Sequence, residues 1–136
     1  MDTELAELSP SALAEVLRDH PARVEIPPEH HFAPGLYARK VTLPAGTFAI
    51  GEKHKTTHIS VLAKGTLLVR GVAGMPDHRM QAGDVMTTPA GSQRTVYAET
   101  ECVFVCIHFN PENVTDMDTL RAMFVELPAL EQERVP

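Results

Sequence analysis

The sequence contains no tryptophan, few other aromatic residues and no cluster of basic side chains. It has two tyrosines and five phenylalanines, and its twelve lysines and arginines are dispersed along a chain of formal net charge −6. A nucleic-acid-binding protein usually carries a basic stripe that displaces counterions from phosphates, or aromatic rings on which bases stack. The composition therefore predicts that the chain does not bind nucleic acid.

Long hydrophobic runs are also missing, and only two cysteines are present. No apolar run approaches the ~20 residues that span a bilayer, and the acidic N-terminus lacks the basic and apolar regions of a signal peptide. Cys102 and Cys106 lie four residues apart in a predicted strand, which places their Cα atoms ~13 Å apart, too far for a disulfide. We therefore expect reduced thiols, no membrane association and a cytoplasmic location.

Eleven prolines and eight glycines are scattered along the 136 residues. This length fits one domain, and the regular punctuation is typical of short strands joined by tight turns. The region from Leu36 to Phe109 predicts about eight strands, in the segments LYARKVTL, TFAIGEKH, HISVLAKG, TLLVRG, HRMQ, DVMTTPAG, QRTVYA and CVFVCIHF. Their spacing predicts a mainly β fold, either a barrel or a sandwich.

Helices are predicted on either side of the strands. Ser9 and Pro10 are typical of a helix start, and Pro21 ends an apolar stripe formed by Leu13, Val16 and Leu17. Thr115 is the predicted cap of a last helix, whose apolar face comprises Leu120, Met123, Phe124 and Leu127. The predicted organisation is an N-terminal helix and connector over 1–31, a β-barrel over 32–110, and a C-terminal helix and tail over 111–136.

Two segments punctuated by glycine and proline carry the candidate chemistry. The first, GEKHKTTHISVLAKG, runs from Gly51 to Gly65, and the second, GDVMTTPAGSQR, from Gly83 to Arg94. The first resembles the first cupin motif, in which two histidines and a glutamate precede a strand and a glycine. The second resembles the second cupin motif, in which Gly-Asp opens a strand that leads to Pro-x-Gly and a histidine. The resemblance implies a single cupin-type, jelly-roll β-barrel.

The metal ligands of the motifs are matched less closely than their framework. His54 takes the place of the second motif histidine. Glu52 and His58 stand where the first histidine and the glutamate belong, and Arg94 replaces the last histidine. Because residues two apart on a strand face the same way, Glu52 and His54 can point together into the barrel, and a turn can bring His58 opposite them. Two imidazoles and a carboxylate form the triad that holds Fe(II) or a similar ion, so Fe, Mn, Zn or Ni is the predicted metal.

Arg94 leaves this metal hypothesis open, because a permanent cation repels a divalent ion unless an anion lies between them. The alternative is a metal-free barrel in which Arg94 pairs with Glu52 and the histidines are hydrogen-bonded linings of a pocket. In either case Arg94 and Tyr97 are the candidate residues for binding a small-molecule ligand. Neither interpretation identifies a substrate or a reaction, so whether the chain is an enzyme stays open.

The last predicted strand contains a further candidate metal ligand, His108. Cys102, Phe104, Cys106 and His108 share one face of this strand, but both faces are apolar, so the alternation does not say which one looks into the barrel. A buried histidine is more often a hydrogen-bonded core residue than a ligand. His108 is therefore an additional candidate beside Glu52, and the two cysteines are expected to be inert core residues.

A second resemblance covers the stretch LYARKVTLPAGTFAIGEKHKTTHISVLAKGTLLV. Tyr37-Ala38-Arg39, Pro44 to Thr47, the His54 to His58 step, and a late strand ending in His108 before an acidic helix are together similar to small cupin-like proteins encoded by tailed bacteriophages and prophages. This resemblance implies a bacterial host cell or a virion as the location. It also implies an alternative function, a structural or accessory phage protein that uses the barrel as a metal-free scaffold. We further expect a homodimer or a larger phage assembly, with the terminal helices packed on the barrel or on a partner subunit.

Overall fold

The structure, a computed structural model, describes residues 26–126, which form nine strands and one helix. The strands are β1 (Glu29–Ala33), β2 (Leu36–Leu43), β3 (Phe48–Ile50), β4 (His58–Lys64), β5 (Thr66–Arg70), β6 (His78–Gln81), β7 (Val85–Thr88), β8 (Thr95–Ala98) and β9 (Cys102–Phe109), and the helix is α1 (Met117–Phe124). The helix predicted after Ser9 and the apolar position Leu127 lie outside the described residues.

The strands form two antiparallel sheets that enclose the core. The five-stranded sheet has the order β1-β2-β9-β4-β7, and the four-stranded sheet has the order β3-β8-β5-β6. The buried core draws side chains from both sheets, among them Leu43, Leu62, Phe104, Leu67, Val69 and Met80. No pairing among residues 26–126 joins an edge strand of one sheet to the other sheet. The architecture is therefore an open jelly-roll sandwich, and the closed barrel that the sequence predicted is corrected to this form.

The strand β1 lies where the sequence predicted an extended connector. It pairs with β2 at the edge of the five-stranded sheet, and all five of its residues are exposed. A strand with neither face buried shows no apolar alternation, so the pattern that identifies the other eight strands is missing here.

The strand β9 lies in the middle of the five-stranded sheet, between β2 and β4. The residues from Cys102 to His108 that share a face with Phe104 are buried, whereas Phe109 on the other face is 71% exposed. The face whose direction the sequence left undecided, with both cysteines and His108, therefore looks into the sandwich. Both cysteines are free and buried, as predicted.

Two glycines of the framework occupy positions that a side chain could not fill. Gly65, in the turn between β4 and β5, has φ 88°, and a Cβ there would collide with the backbone carbonyl of Glu101. Gly71 has φ 81°, and its Cβ would collide with the carbonyl of Gln93. A positive φ and a close backbone approach are the two conditions that require glycine. Glycine at these two positions therefore allows neighbouring segments of the sandwich to approach closely.

The helix α1 covers one end of the sandwich. Asp116, rather than the predicted Thr115, is its N-cap and accepts a 2.9 Å hydrogen bond from the Thr119 N–H. Leu120 and Phe124 are buried, which confirms two positions of the predicted apolar face, and they pack in a cluster with Tyr37 and Val125. Within residues 26–126 no helix is long and apolar enough to cross a bilayer.

Candidate metal and ligand site

Three histidines meet at one end of the sandwich. His54, His58 and His108, here called the three-histidine cluster, have ring centroids that lie 4.3 Å, 4.5 Å and 6.0 Å apart in pairs. The sequence predicted that His54 and His58 lie together, with His108 as an additional candidate. The structure brings all three rings together.

Adjacent strands hold two of the rings. His58 begins β4 and His108 lies near the end of β9, and these strands are set side by side by the pairing of Ile59 with Ile107. Because side chains alternate along a strand, both histidines point away from the face that carries the two isoleucines and into the sandwich. Each is only 4% exposed.

His54 lies in the segment between β3 and β4 and is held by backbone hydrogen bonds. Its N–H donates to the carbonyl of Ser92 at 2.9 Å, and its carbonyl accepts from the N–H of Gly91 at 2.8 Å. It also forms an isolated bridge with Val125, directly after α1. The turn of the second cupin-like motif therefore positions the histidine of the first.

Each ring of the cluster has one buried nitrogen without a hydrogen-bond partner, namely Nδ1 of His54, Nε2 of His58 and Nδ1 of His108. Burial, followed by the charges of His58 and Arg94, lowers the pKa of His54 and of His108 to about 3. These two imidazoles are neutral at pH 7, which is the state in which histidine binds a metal.

The donor atoms of the cluster fit a divalent transition metal, whereas the ring orientations need adjustment. Three imidazole nitrogens at ~2.1 Å from one ion would set the ring centroids ~5 Å apart, and the observed separations of 4.3 Å to 6.0 Å bracket this value. The His108 ring stacks on the rings of His54 and His58, with planes 20° and 30° apart, whereas the rings of His54 and His58 are tilted by 42°. Accordingly, no group of three or more His, Cys, Asp or Glu side chains within residues 26–126 is arranged to hold a metal ion.

Glu52, the predicted carboxylate ligand, is bound to the helix instead. Its two carboxylate oxygens accept three hydrogen bonds of 2.7 Å to 3.1 Å from the guanidinium of Arg121. The structure therefore does not bring Glu52 together with His54 and His58, as the predicted triad requires. The physical reason is that a bidentate arginine partner holds a carboxylate more tightly than solvent does, and the fold of α1 brings that arginine to Glu52.

Arg94 is buried inside the sandwich, 8% exposed. Its Nη1 donates to the hydroxyl oxygen of Ser60 at 2.7 Å and to that of Thr88 at 3.4 Å, and its Nη2 lies 3.3 Å from the Cys106 sulfur. Its guanidinium carbon also lies 4.9 Å from the centre of the Phe104 ring. The pairing of Arg94 with Glu52, predicted for a metal-free barrel, is not among the ion pairs of residues 26–126.

Cys106 connects Arg94 to the three-histidine cluster. Burial raises the pKa of its thiol, but the imidazole of His58 and the guanidinium of Arg94 lower it further, to about 6. The thiolate is therefore the anion that lies beside the buried arginine. An anion at this point reduces the repulsion that Arg94 would exert on a cation bound by the histidines.

The helix α1 closes the end of the sandwich over the cluster. The Phe124 ring stacks on His108 with a centroid distance of 4.4 Å and on Tyr37 at 5.9 Å. Three hydrogen bonds to main-chain carbonyls also join the end of the helix to the segment around His54. The Lys55 N–H donates to the carbonyl of Phe124, the Lys55 ammonium donates to the carbonyl of Ala122, and the Glu126 N–H donates to the carbonyl of Lys53. A ligand that reaches the histidines must displace or pass this cap.

Tyr97, the second candidate for ligand binding, lies away from the cluster. It faces outward from the four-stranded sheet, next to Phe48 with ring centroids 6.3 Å apart. Both residues line a surface depression of about 600 Å³ that also includes Leu68 and Arg70. The structure therefore does not bring Tyr97 together with Arg94.

Several residues of the site were not singled out by sequence analysis. Ser60 lies two residues after His58 on β4, so same-face alternation was a usable signal for it. Thr88 is the register partner of His58 on β7. Phe124 was predicted as core, and no local signal shows its contact with His108, because that contact depends on how α1 packs.

No protein-family model and no curated protein matches the sequence of this chain. A cupin superfamily protein from Desulfitobacterium hafniense DCB-2 matches in structure with a TM-score of 0.53 at 9% identity, covering 66% of this chain and 82% of that one. A cupin domain from Bordetella pertussis Tohama I matches with a TM-score of 0.51 at 22% identity, covering 67% and 99%. The DMSP lyase DddQ from Ruegeria pomeroyi DSS-3 matches with a TM-score of 0.50 at 19% identity, covering 61% and 42%. These likenesses show the cupin fold.

Proposed function

We propose that the three-histidine cluster binds a divalent transition metal, Fe, Mn, Zn or Ni, and that the chain uses this ion to hold a small anionic molecule. The observation that carries the proposal is the set of three buried ring nitrogens without partners. A buried polar atom that lacks a hydrogen bond costs ~1–3 kcal/mol. Three such atoms in one cluster are best accounted for by a ligand that all three contact.

Binding would require the rings to rotate about their side-chain bonds until the three nitrogens face a common centre. A metal held by three imidazoles supplies a Lewis acid with coordination positions left open for a water or a substrate. The chain's own residues would hold the ion with neutral donors, since the pKa of His54 and of His108 is about 3 and both rings are neutral at pH 7. Glu52 has no part in this site, because Arg121 occupies both of its oxygens.

Arg94 would select an anion in this pocket. It is a buried, permanent positive charge held in place by Ser60 and Thr88, and the only anion that contacts it within residues 26–126 is the Cys106 thiolate. A small carboxylate or similar anion that reaches the cluster would be attracted by this charge. One structural neighbour is a DMSP lyase, but a shared fold does not transfer an activity.

A metal-free scaffold is the second candidate function, and the stacked rings favour it. Stacking of the histidines on each other and on Phe124 satisfies the packing of this end of the sandwich without an ion. In this case the chain works by contact with other proteins, as a phage accessory protein would, and the cluster only contributes to stability. The location predicted for such a protein is the cytoplasm of a bacterial host cell or the virion.

Metal analysis and titration distinguish these functions. Full-length protein purified without a histidine tag would be analysed for bound metals, stripped with a chelator, and titrated with Zn²⁺, Ni²⁺, Mn²⁺ and Fe²⁺ by calorimetry. We expect one ion per chain, and each of His54→Ala, His58→Ala and His108→Ala should weaken binding by ~100-fold or more, since two imidazoles hold such ions poorly.

Matched controls separate the cluster from other metal ligands. His78→Ala removes a half-buried histidine on β6 whose ring bonds the nearby Pro76 carbonyl, and it should leave the affinity unchanged. Glu52→Gln should also leave it unchanged, whereas the triad predicted from the sequence requires a large loss. A chain that binds no metal, or one whose binding is lost equally in the control variants, would contradict the proposal and favour the scaffold.

A further inference from the structure

The outer face of the five-stranded sheet, opposite the core, is apolar across four strands. Side chains that alternate with core residues on β2, β9, β4 and β7 form this surface. Its eight apolar members, here called the outer apolar face, are Leu36, Ala38, Ile59, Val61, Val85, Val105, Ile107 and Phe109.

Strand register makes this face continuous. Three rows of directly opposed residues cross the strands: Leu36 with Phe109, Ala38 with Ile107 and Ile59, and Val105 with Val61 and Val85. Opposed side chains on neighbouring strands lie ~5 Å apart and touch. No row of polar residues therefore separates these apolar side chains.

Much of this surface is open to solvent in the single chain. Phe109 is 71% exposed, Val85 62%, Leu36 46% and Ile59 38%. Isolated exposed apolar residues are normal on protein surfaces, but a contiguous patch of this kind marks an interaction site. Nothing within residues 26–126 covers the patch.

Two charged residues share this face on the four strands. Lys40 directly opposes Val105 and so extends the third row onto β2, and Lys64 opposes Val103, toward the end remote from Phe109. Lys64 pairs with Glu101 at 2.6 Å, and Lys40 lies 3.7 Å from Glu29. The surface therefore presents apolar side chains with their neighbouring charges already paired.

We propose that a second copy of this chain covers the outer apolar face, so that two sheets pack back to back in a homodimer. A two-fold dimer brings the same patch of each copy together. Since each chain carries a net charge of −6, two copies repel wherever acidic surfaces meet. The outer apolar face carries no carboxylate on these four strands, so two copies of the chain can approach each other there without this repulsion.

The area of the face agrees with this occupant. The strands β2, β9 and β4 are seven or eight residues long and β7 has four. At ~3.3 Å per residue and ~4.8 Å between strands, the sheet presents on the order of 400 Å² of flat area, Lys40 and Lys64 included. Two copies would then bury on the order of 1,000 Å² of accessible surface, which lies at the lower end of the range of specific interfaces. Homodimer interfaces are also more apolar than other protein contacts, as this face is.

The dimer would lie directly behind the proposed metal site. His58 precedes Ile59, and His108 lies between Ile107 and Phe109. The outward faces of the two strands that carry these histidines therefore lie in the interface. Packing against a partner would hold these two strands in register and restrict movement of the rings on the inner side. This inference does not depend on whether a metal binds.

Sedimentation velocity of the full-length chain over a wide concentration range tests the proposal. The wild type should sediment as a dimer, and Phe109→Glu and Val85→Glu should each weaken dimerisation by ~100-fold or more, since each buries an unpaired carboxylate in the interface. Both positions are exposed in the single chain, so circular dichroism should show an unchanged fold. Met75→Glu is the matched control, because Met75 is 41% exposed but lies in the turn between β5 and β6. It should remain dimeric.

Two results would overturn the proposal. One is a wild-type chain that stays monomeric at every concentration, which would leave a different occupant for the face, either the parts of the chain outside residues 26–126 or another protein. The other is a dimer that both glutamate variants leave as stable as Met75→Glu does, which would place the dimer contact on another surface.

Discussion

The ring of Phe124 stacks on the ring of His108, with centroids 4.4 Å apart and planes 21° apart. One residue belongs to the helix that closes the sandwich and the other to the central strand of the five-stranded sheet. Phe124 therefore joins the cap to the three-histidine cluster, and changes at this position should affect both stability and access to the histidines.

Phe124→Ala should destabilise the protein by ~3 kcal/mol, the lower end of the range for a buried phenylalanine, because the site lies at one end of the core. It should also speed metal uptake by chelator-stripped protein if the cap controls access. Urea unfolding measures the first effect and stopped-flow metal binding the second. Met123→Ala, which removes a half-buried neighbour on the same helix, should cost less stability and leave the uptake rate unchanged.

The acid stability of the metal-free protein should depend on two histidines. In the folded state the pKa of His54 and that of His108 are about 3, against 6.5 in an unfolded chain. A folded-state pKa below the unfolded value means that the unfolded chain takes up protons first. The stabilising contribution is therefore complete above pH 6.5 and is lost as the pH falls toward 3.

Urea unfolding of stripped protein between pH 7 and pH 5, above the range in which most carboxylates titrate, measures this dependence. The wild type should lose stability over this interval, and a variant with both His54→Ala and His108→Ala should show a flatter profile. His78→Ala should retain the wild-type slope. A wild-type stability that is constant from pH 7 to pH 5 would show that these imidazoles titrate normally.

Gly65 should tolerate a methyl group far less well than Gly74. Both have positive φ, 88° and 76°, but only at Gly65 would the added Cβ meet a backbone carbonyl, since nothing lies within 4 Å at Gly74. Gly65→Ala should therefore cost ~2 kcal/mol or more beyond the cost of Gly74→Ala. Equal midpoints of urea unfolding for the two variants would contradict the collision with Glu101.

Cys102 and Cys106 should react slowly with a thiol reagent in the native protein and rapidly in urea. Both sulfurs lie inside the sandwich, so reagent must wait for local opening, even though the pKa of Cys106 is about 6 and its thiolate is the reactive form. Met75→Cys supplies an exposed thiol for comparison and should be labelled at once. Labelling of the native wild type at the rate of that added thiol would show that the core is open.

The glycine and proline framework was sufficient to predict the strands and the cupin-like order of the two motifs. Eight of the nine strands are recognisable in the sequence, either from alternating apolar and polar residues or from the turns that bound them. The direction of β9 could not be predicted, because its outward face is also apolar where it forms the outer apolar face. The strand β1 gave no signal, because it buries neither face.

The candidate site was only partly predictable. His54 and His58 are close in sequence, so local spacing suggested their contact, and His108 joined them through the pairing of β4 with β9, which is a non-local relationship. The partner of Glu52 was not predicted, for the same kind of reason. That partner, Arg121, lies 69 residues away on α1. No local pattern in the sequence shows that α1 packs against the segment that contains Glu52.

The position of β9 in its sheet determines when the site can form during synthesis. This strand is the last of the nine to leave the ribosome, yet it lies between β2 and β4, so those two strands have no common partner until it arrives. His108 is part of this strand, and the closing helix comes after it. The nascent chain therefore exposes an incomplete sheet until Phe109 has emerged, and the three histidines can come together only after that point.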